Sequence, residues 1–73
     1  MNVEEIKQAI EAKLPGAIAK VYSNDGHHFN AEIIYSGFAD KSLIEQHRMV
    51  YKAIGDSVGN AIHALSLNTK INE

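Results

Sequence analysis

The sequence predicts an α+β fold in which two helices cover one face of a three-stranded mixed sheet. Two segments carry apolar residues at helical spacing and three are typical of short strands, in the order α-β-β-α-β. The second helix is long enough to carry the chain back across the sheet, so the third strand would run parallel to the second. A two-layer sandwich follows, with the other sheet face left more open.

The first helix is predicted over residues 3–14. Asn2 is a suitable N-cap, and Glu5 follows it at the spacing of a capping box. Pro15 and Gly16 end the helix, because a proline disfavours helical geometry in the residue before it. The apolar residues of this segment recur every three or four positions and form one stripe: Val3, Ile6, Ile10 and Leu14.

The first two strands are predicted over residues 17–22 and 29–36. Between them, Asp25 and Gly26 form a dipeptide that is typical of hairpin turns, so the two strands would pair antiparallel. The second strand contains β-branched and aromatic residues with imperfect alternation. Residues 37–41 then form a loop that leads to the second helix.

The second helix is predicted to begin at Ser42, which forms a capping box with Glu45. It ends near Gly55 or runs on to Gly59. Five of its residues are expected on one side: Leu43, His47, Val50, Tyr51 and Ile54. The third strand is predicted over residues 62–70. By the two-residue period of a strand, three of its residues share one face: His63, Leu65 and Leu67.

The composition indicates one soluble domain covering residues 1–73. An apolar fraction of 45% is normal for a globular protein, and the chain contains no cysteine, so it has neither disulfides nor thiolate ligands of its own. The apolar runs are too short to span a membrane, and the acidic start of the chain is unlike a signal peptide. A cytoplasmic location is expected. The net charge of −2 argues mildly against nucleic-acid binding.

The predicted topology brings histidines together. Strands two and three are parallel, so their starts lie at one end of the sheet, and His28 or His27 would meet His63 there. Neutral imidazole is a ligand for zinc, iron or copper, but a closed site needs about four ligands. Asp25 is the best additional candidate. An incomplete site of this kind suggests that a partner supplies the rest.

An ordinary structural explanation of these histidines stands beside the metal hypothesis. A histidine in a hairpin loop is usually solvated, and one at the start of a core-facing strand is usually half-buried with a backbone hydrogen bond. His27 and His28 are adjacent and should point in opposite directions, so only one of them would face His63.

Two segments, HHFNAEIIYSGFADKSLIEQHRMVY and IHALSLNTK, resemble the BolA family. The resemblance extends from the first helix to the last strand. Its distinctive parts are the histidine–phenylalanine start of strand two, the entry to the second helix, and the stretches at residues 47–51 and 62–66. It implies a fold similar to a class II KH domain. Two positions depart from the usual pattern: Asp40, where members commonly carry glycine, and Gln46, where they often carry a basic residue.

The resemblance implies a role in iron–sulfur chemistry. BolA-like proteins pair with monothiol glutaredoxins and bind a bridging 2Fe–2S cluster, with the glutaredoxin cysteine and a glutathione thiolate on the other side. The C-terminal histidine ligand of the family matches His63. The second ligand comes from the loop before strand two, where His28 is the first choice and His27 the second. The chain would be a monomer alone, would bind a cluster poorly by itself, and would form a heterodimer with glutaredoxin.

The resemblance also implies DNA binding, because BolA-like proteins are described as transcriptional regulators and stress-response morphogens. Lys41, Arg48 and Lys52 would form a basic stripe on the second helix, and Lys70 would add to it. The alternative is an ordinary solvated helix face. The Gly-x-x-Gly loop with which KH domains clamp nucleic acid does not occur in the sequence.

An enzymatic activity is not predicted. Catalysis by His47 would need a nucleophile or a carboxylate arranged around it. We expect His47 and Tyr51 to lie at the edge of the core, and Met49 to serve in packing or at the surface. Ser42 is explained by helix capping, and Ser66 has no partners typical of a catalytic triad.

Overall fold

The computed structural model describes residues 2–55 and 65–71. The element order is α-β-β-α-β, which confirms the predicted fold class. The elements are α1 (Val3–Lys13), β1 (Ile18–Tyr22), β2 (Phe29–Ile34), a one-turn 3-10 helix (Ser36–Phe38), α2 (Leu43–Ile54) and β3 (Leu65–Lys70). Strand β2 ends two residues earlier than predicted, because the chain turns into the 3-10 helix at Ser36.

The sheet has the strand order β1-β2-β3, so β2 is central. Strands β1 and β2 pair antiparallel, with Tyr22 opposite Asn30 near the connecting turn. Strands β2 and β3 pair parallel, with Phe29 opposite Leu65. Both predicted pairings are therefore confirmed. Helix α2 is the crossover that makes the parallel pairing possible.

Both helices begin and end where local chemistry predicts. Asn2 caps α1, since its Oδ1 accepts a hydrogen bond of 2.9 Å from the backbone N–H of Glu5. At the start of α2 the full capping box forms: Ser42 Oγ accepts from the Glu45 N–H, and Glu45 Oε1 accepts from the Ser42 N–H. Helix α2 ends at Ile54, and Gly55 follows with a φ of 57°, so the first of the two predicted ends is observed.

The hydrophobic core lies between the two helices and the inner face of the sheet. Its largest fully buried side chains come from both layers: Ile6 and Ile10 of α1, Ile33 of β2, Phe38 of the 3-10 helix, and Val50 and Ile54 of α2. Burial of these apolar side chains is the main favourable contribution to the free energy of folding in a domain of this size. Within residues 2–55 and 65–71, neither helix is long and apolar enough to cross a bilayer.

The buried side of α2 differs from the prediction at its first turn. Leu43 was expected on that side but is 61% exposed. It lies one turn before Gln46, the first buried residue of the helix. The first turn of the helix therefore lies outside the core. Val50 and Ile54 lie on the buried side, as predicted, and Tyr51 packs against the core from its edge.

Gln46 is a buried polar residue that ties α2 to both of its neighbouring segments. Its Nε2 donates to the carbonyl oxygen of Lys41 at 3.0 Å and to that of Phe38 at 3.4 Å. Its Oε1 accepts a hydrogen bond from the hydroxyl of Thr69 in β3. Since unpaired polar groups are costly inside a protein, this network fixes the crossover against the end of the sheet.

The outer face of the sheet is polar at its centre. Glu32 of the central strand lies between two lysines, with Oε1 at 3.9 Å from Lys20 Nζ and Oε2 at 3.4 Å from Lys70 Nζ. One carboxylate thus links all three strands on the side that the helices leave open.

We expect Gln46→Ala to lower the free energy of unfolding by about 1–3 kcal/mol, because the Lys41 carbonyl and the Thr69 hydroxyl would lose a buried partner. Urea unfolding measures this loss. Gln8→Ala is the matched control, since Gln8 is exposed on α1 and makes one long hydrogen bond to Glu4. Equal effects of the two substitutions would contradict a structural role for the Gln46 network.

Candidate metal-binding end of the sheet

The loop that carries the paired histidines leads directly into the central strand. Residues 23–28 connect β1 to β2, and His28 precedes Phe29, which is buried and lies opposite Leu65 of β3. We call the end of the sheet where β2 and β3 begin the strand-start end. His27 and His28 lie there, as predicted. The third predicted ligand, His63, lies outside the described residues.

Hydrogen bonds to two side chains shape the loop. Oδ1 of Asp25 accepts from the backbone N–H groups of His27 and His28, both at 2.8 Å. The hydroxyl of Ser23 accepts from the N–H of Gly26 at 2.9 Å. Gly26 has a φ of 76°, in the left-handed region that favours glycine. The predicted turn at Asp25 and Gly26 is therefore confirmed, within a loop longer than a two-residue hairpin.

Asp25 also contacts the ring of His28. Its Oδ2 lies 2.9 Å from His28 Nδ1, and the side chains of His28 and Asp25 remain 78% and 50% exposed. These contacts, first the one to the His28 ring and then the backbone N–H groups of His28 and His27, hold the pKa of the Asp25 carboxyl well below its usual range. Asp25 is therefore a carboxylate at neutral pH.

His27 differs from His28 in what holds its ring. Its backbone N–H donates a hydrogen bond to Asp25 Oδ1. Its exposed side chain makes no hydrogen bond to any residue in the described part of the chain. In the same part, no three histidine, aspartate or glutamate side chains come together in a way that could hold a metal ion.

His47 lies apart from the loop histidines, as predicted, in the middle of α2. It is half-buried, and its Nε2 is buried without a hydrogen-bond partner within residues 2–55 and 65–71. Met49 and Tyr51 are partly buried and pack against the core. These positions agree with the expected place at the edge of the core.

The basic residues fall into two groups on different surfaces. Lys41, Arg48 and Lys52 are exposed in or just before α2. Lys70 lies on the outer sheet face, where it pairs with Glu32. The helices cover the opposite face of the sheet.

The fold has two helices on one face of a mixed three-stranded sheet, and histidines lie where the central strand begins. This arrangement defines a BolA-like domain. The sequence profile described as "BolA-like protein" matches residues 5–73. This chain belongs to the BolA family.

Solved structures and curated relatives agree with this assignment. A bolA protein homologue from Coxiella burnetii is 37% identical, with a TM-score of 0.82 over 97% of this chain and 91% of that chain. The chloroplastic protein BOLA1 of Arabidopsis thaliana is 35% identical over 66% of this chain, but the match spans only 30% of its length. The DNA-binding transcriptional regulator BolA of Escherichia coli is 25% identical over 88% of this chain and 73% of its own.

We expect Gly26→Ala to lower the free energy of unfolding by about 1 kcal/mol, because a Cβ is strained at a positive φ. Apart from Gly26 and its two chain neighbours, no heavy atom of the described residues lies within 4 Å of the added Cβ, so the effect would come from the local backbone conformation. Gly26→Asn is the control, since asparagine tolerates this conformation better. Urea unfolding of both variants measures the difference, and an Ala variant as stable as wild type would contradict the left-handed turn.

Proposed function

We propose that this chain is a non-catalytic, cytoplasmic adaptor that pairs with a monothiol glutaredoxin and shares a bridging 2Fe–2S cluster. Its roles would be iron–sulfur trafficking or iron regulation. From this chain the ligands would be His63 and a loop histidine, His28 or His27. The observation that carries the proposal is the parallel pairing of Phe29 with Leu65.

That pairing determines which parts of the chain meet. Neighbouring strands lie about 5 Å apart, so the start of β3 is next to the residue that follows His28. His63 is two residues before Leu65 in the sequence. This pairing supports the inference that a histidine of the loop and His63 would serve one bound group.

The donor set fits half of a cluster site. Imidazole nitrogens are ligands for iron in some 2Fe–2S centres, where they raise the reduction potential relative to thiolates. The chain has no cysteine, and its described part holds no complete site. Thiolates from glutaredoxin and glutathione would complete the coordination. When bound, the cluster supplies a redox-active group that can be passed to a client protein.

The test mixes this protein with a monothiol glutaredoxin, glutathione, ferrous iron and sulfide in the absence of oxygen. Visible absorption and circular dichroism, with size-exclusion chromatography, detect a heterodimer with its own cluster spectrum. We expect His63→Ala to abolish that spectrum, together with one of the two substitutions His28→Ala and His27→Ala. The loop histidine that is not a ligand is the matched control.

Two other outcomes of this experiment would contradict the expected result. A spectrum identical to that of glutaredoxin alone, with no complex by size, would remove the cluster-sharing proposal. Loss of the heterodimer spectrum in both loop variants to the same degree would indicate damage to the loop rather than loss of a ligand.

A second candidate function is DNA binding through α2. It is favoured by the exposure of Lys41, Arg48 and Lys52, none of which has a carboxylate within 4 Å among residues 2–55 and 65–71. The E. coli relative is named as a DNA-binding transcriptional regulator. Phosphate contacts from such a surface would give affinity without base specificity.

For DNA binding, we expect the double substitution Arg48→Ala and Lys52→Ala to weaken duplex binding and to reduce the slope of log K against log salt by about 2, since each lost phosphate contact removes about one unit. Fluorescence anisotropy across a salt series measures both. Lys20→Ala on the outer face is the control for the loss of one positive charge away from α2, and His63→Ala should leave DNA binding unchanged. Equal losses in all variants would contradict a binding surface on α2.

A further inference from the structure

We propose that Asp25 is a positioning residue that presents Nε2 of His28 as the ligating atom, and so makes His28, not His27, the loop ligand. The inference rests on the proposed function for the nature of the bound group. It adds three points: which histidine binds the group, which ring nitrogen is the ligand, and which side chain determines this.

The carboxylate of Asp25 holds His28 at two points. Oδ1 accepts from the backbone N–H of His28 at 2.8 Å, and Oδ2 lies 2.9 Å from Nδ1 of the same residue. Oδ1 also accepts a hydrogen bond from the backbone N–H of His27, which fixes the carboxylate in the turn. The imidazole is therefore attached to a group that the loop backbone already orients.

The contact between Oδ2 and Nδ1 decides where the ring proton lies. An ionised carboxylate can only accept a hydrogen bond, so Nδ1 must carry the proton. In a neutral imidazole the other nitrogen, Nε2, then has the free lone pair that a metal needs. The side chain of His28 is 78% exposed, so a group held by a partner can approach it.

A carboxylate behind a ligating histidine is an arrangement with a known physical benefit. It fixes the tautomer and the orientation of the ring, and it raises the basicity of the ligating nitrogen. His27 has no such support, since its side chain makes no hydrogen bond within the described residues. Binding through His27 would require its ring to be ordered at the moment of binding, at a cost in conformational entropy.

Asp25→Asn separates the shape of the loop from the position of the proton. The amide oxygen can still accept the two backbone N–H groups, while the amide nitrogen would replace Oδ2 beside the ring. That nitrogen is a donor, so it pairs with an unprotonated Nδ1 and moves the ring proton to Nε2. An aspartate-to-asparagine change in a catalytic triad acts in this way, with the geometry kept and the tautomer wrong.

The first measurement is the tautomer of each loop histidine, from long-range ¹H–¹⁵N NMR spectra of the isolated protein at a pH of about 8, above the ordinary histidine pKa. We expect His28 as the Nδ1–H form in wild type and as the Nε2–H form in Asp25→Asn, with His27 unchanged. An Nε2–H form of His28 in the wild-type protein would overturn the inference. This result needs no variant, so it stands even if Asp25→Asn disturbs the loop.

The second measurement is a titration of the isolated protein with Zn²⁺, followed by the same histidine signals. We expect the Nε2 signal of His28 to respond before the signals of His27. Asp25→Asn should raise the midpoint roughly 10–100-fold, the usual effect of losing such a supporting residue. His27→Ala should leave the midpoint unchanged. A midpoint that moves with His27→Ala and not with Asp25→Asn would assign the ligand to His27 and reject the inference.

Neither measurement uses glutaredoxin, iron or sulfide, so the two proposals can fail separately. If the tautomer and the Zn²⁺ response are as expected but no heterodimer spectrum forms, the cluster-sharing function is wrong and the role of Asp25 remains.

Discussion

The parallel pairing of β2 with β3 is the constraint on which the rest of this small fold depends. Two parallel strands cannot be joined by a short turn, so the chain needs a crossover, and α2 provides it. The crossover covers one sheet face and completes the core with Val50 and Ile54. The Gln46 network holds it at the end where β2 and β3 finish, through Lys41 and Thr69. At the opposite end of the sheet, the same pairing places the starts of β2 and β3 side by side and so forms the strand-start end.

Much of the fold could be predicted from the sequence because its signals are local. Both helix starts are specified by capping residues, and the hairpin is specified by Asp25 and Gly26. Two features could not be predicted in this way. Periodicity shows which side of a helix is apolar but not where the core ends, so Leu43 was placed wrongly. Gln46 is buried because backbone carbonyls outside the helix need a donor, which a hydrophobic pattern does not reveal.

The candidate site was predictable in its location and less so in its chemistry. The histidine pair at the start of β2 follows from topology, and the geometry of the loop agrees with it. The sequence offers Asp25 as an additional ligand, and in the structure its carboxylate contacts the ring and the backbone of His28. The three-residue spacing between Asp25 and His28 is compatible with such a contact. Only the three-dimensional structure shows which carboxylate oxygen contacts which ring nitrogen. Asp40 stands where family members commonly carry glycine, and the structure explains that preference. Its φ of 68° is a left-handed conformation that suits glycine.

The charged row on the outer sheet face also bears on the two edges of the described sheet. In the described sheet, Lys20 and Lys70 lie on the two edge strands, and Glu32 lies on the central strand between them. Exposed strand edges are where sheets of separate molecules tend to join, and lysines on those edges oppose such joining because the approaching charges repel. In the described sheet, the lysines on β1 and β3 therefore oppose edge-to-edge pairing with a strand of a second molecule.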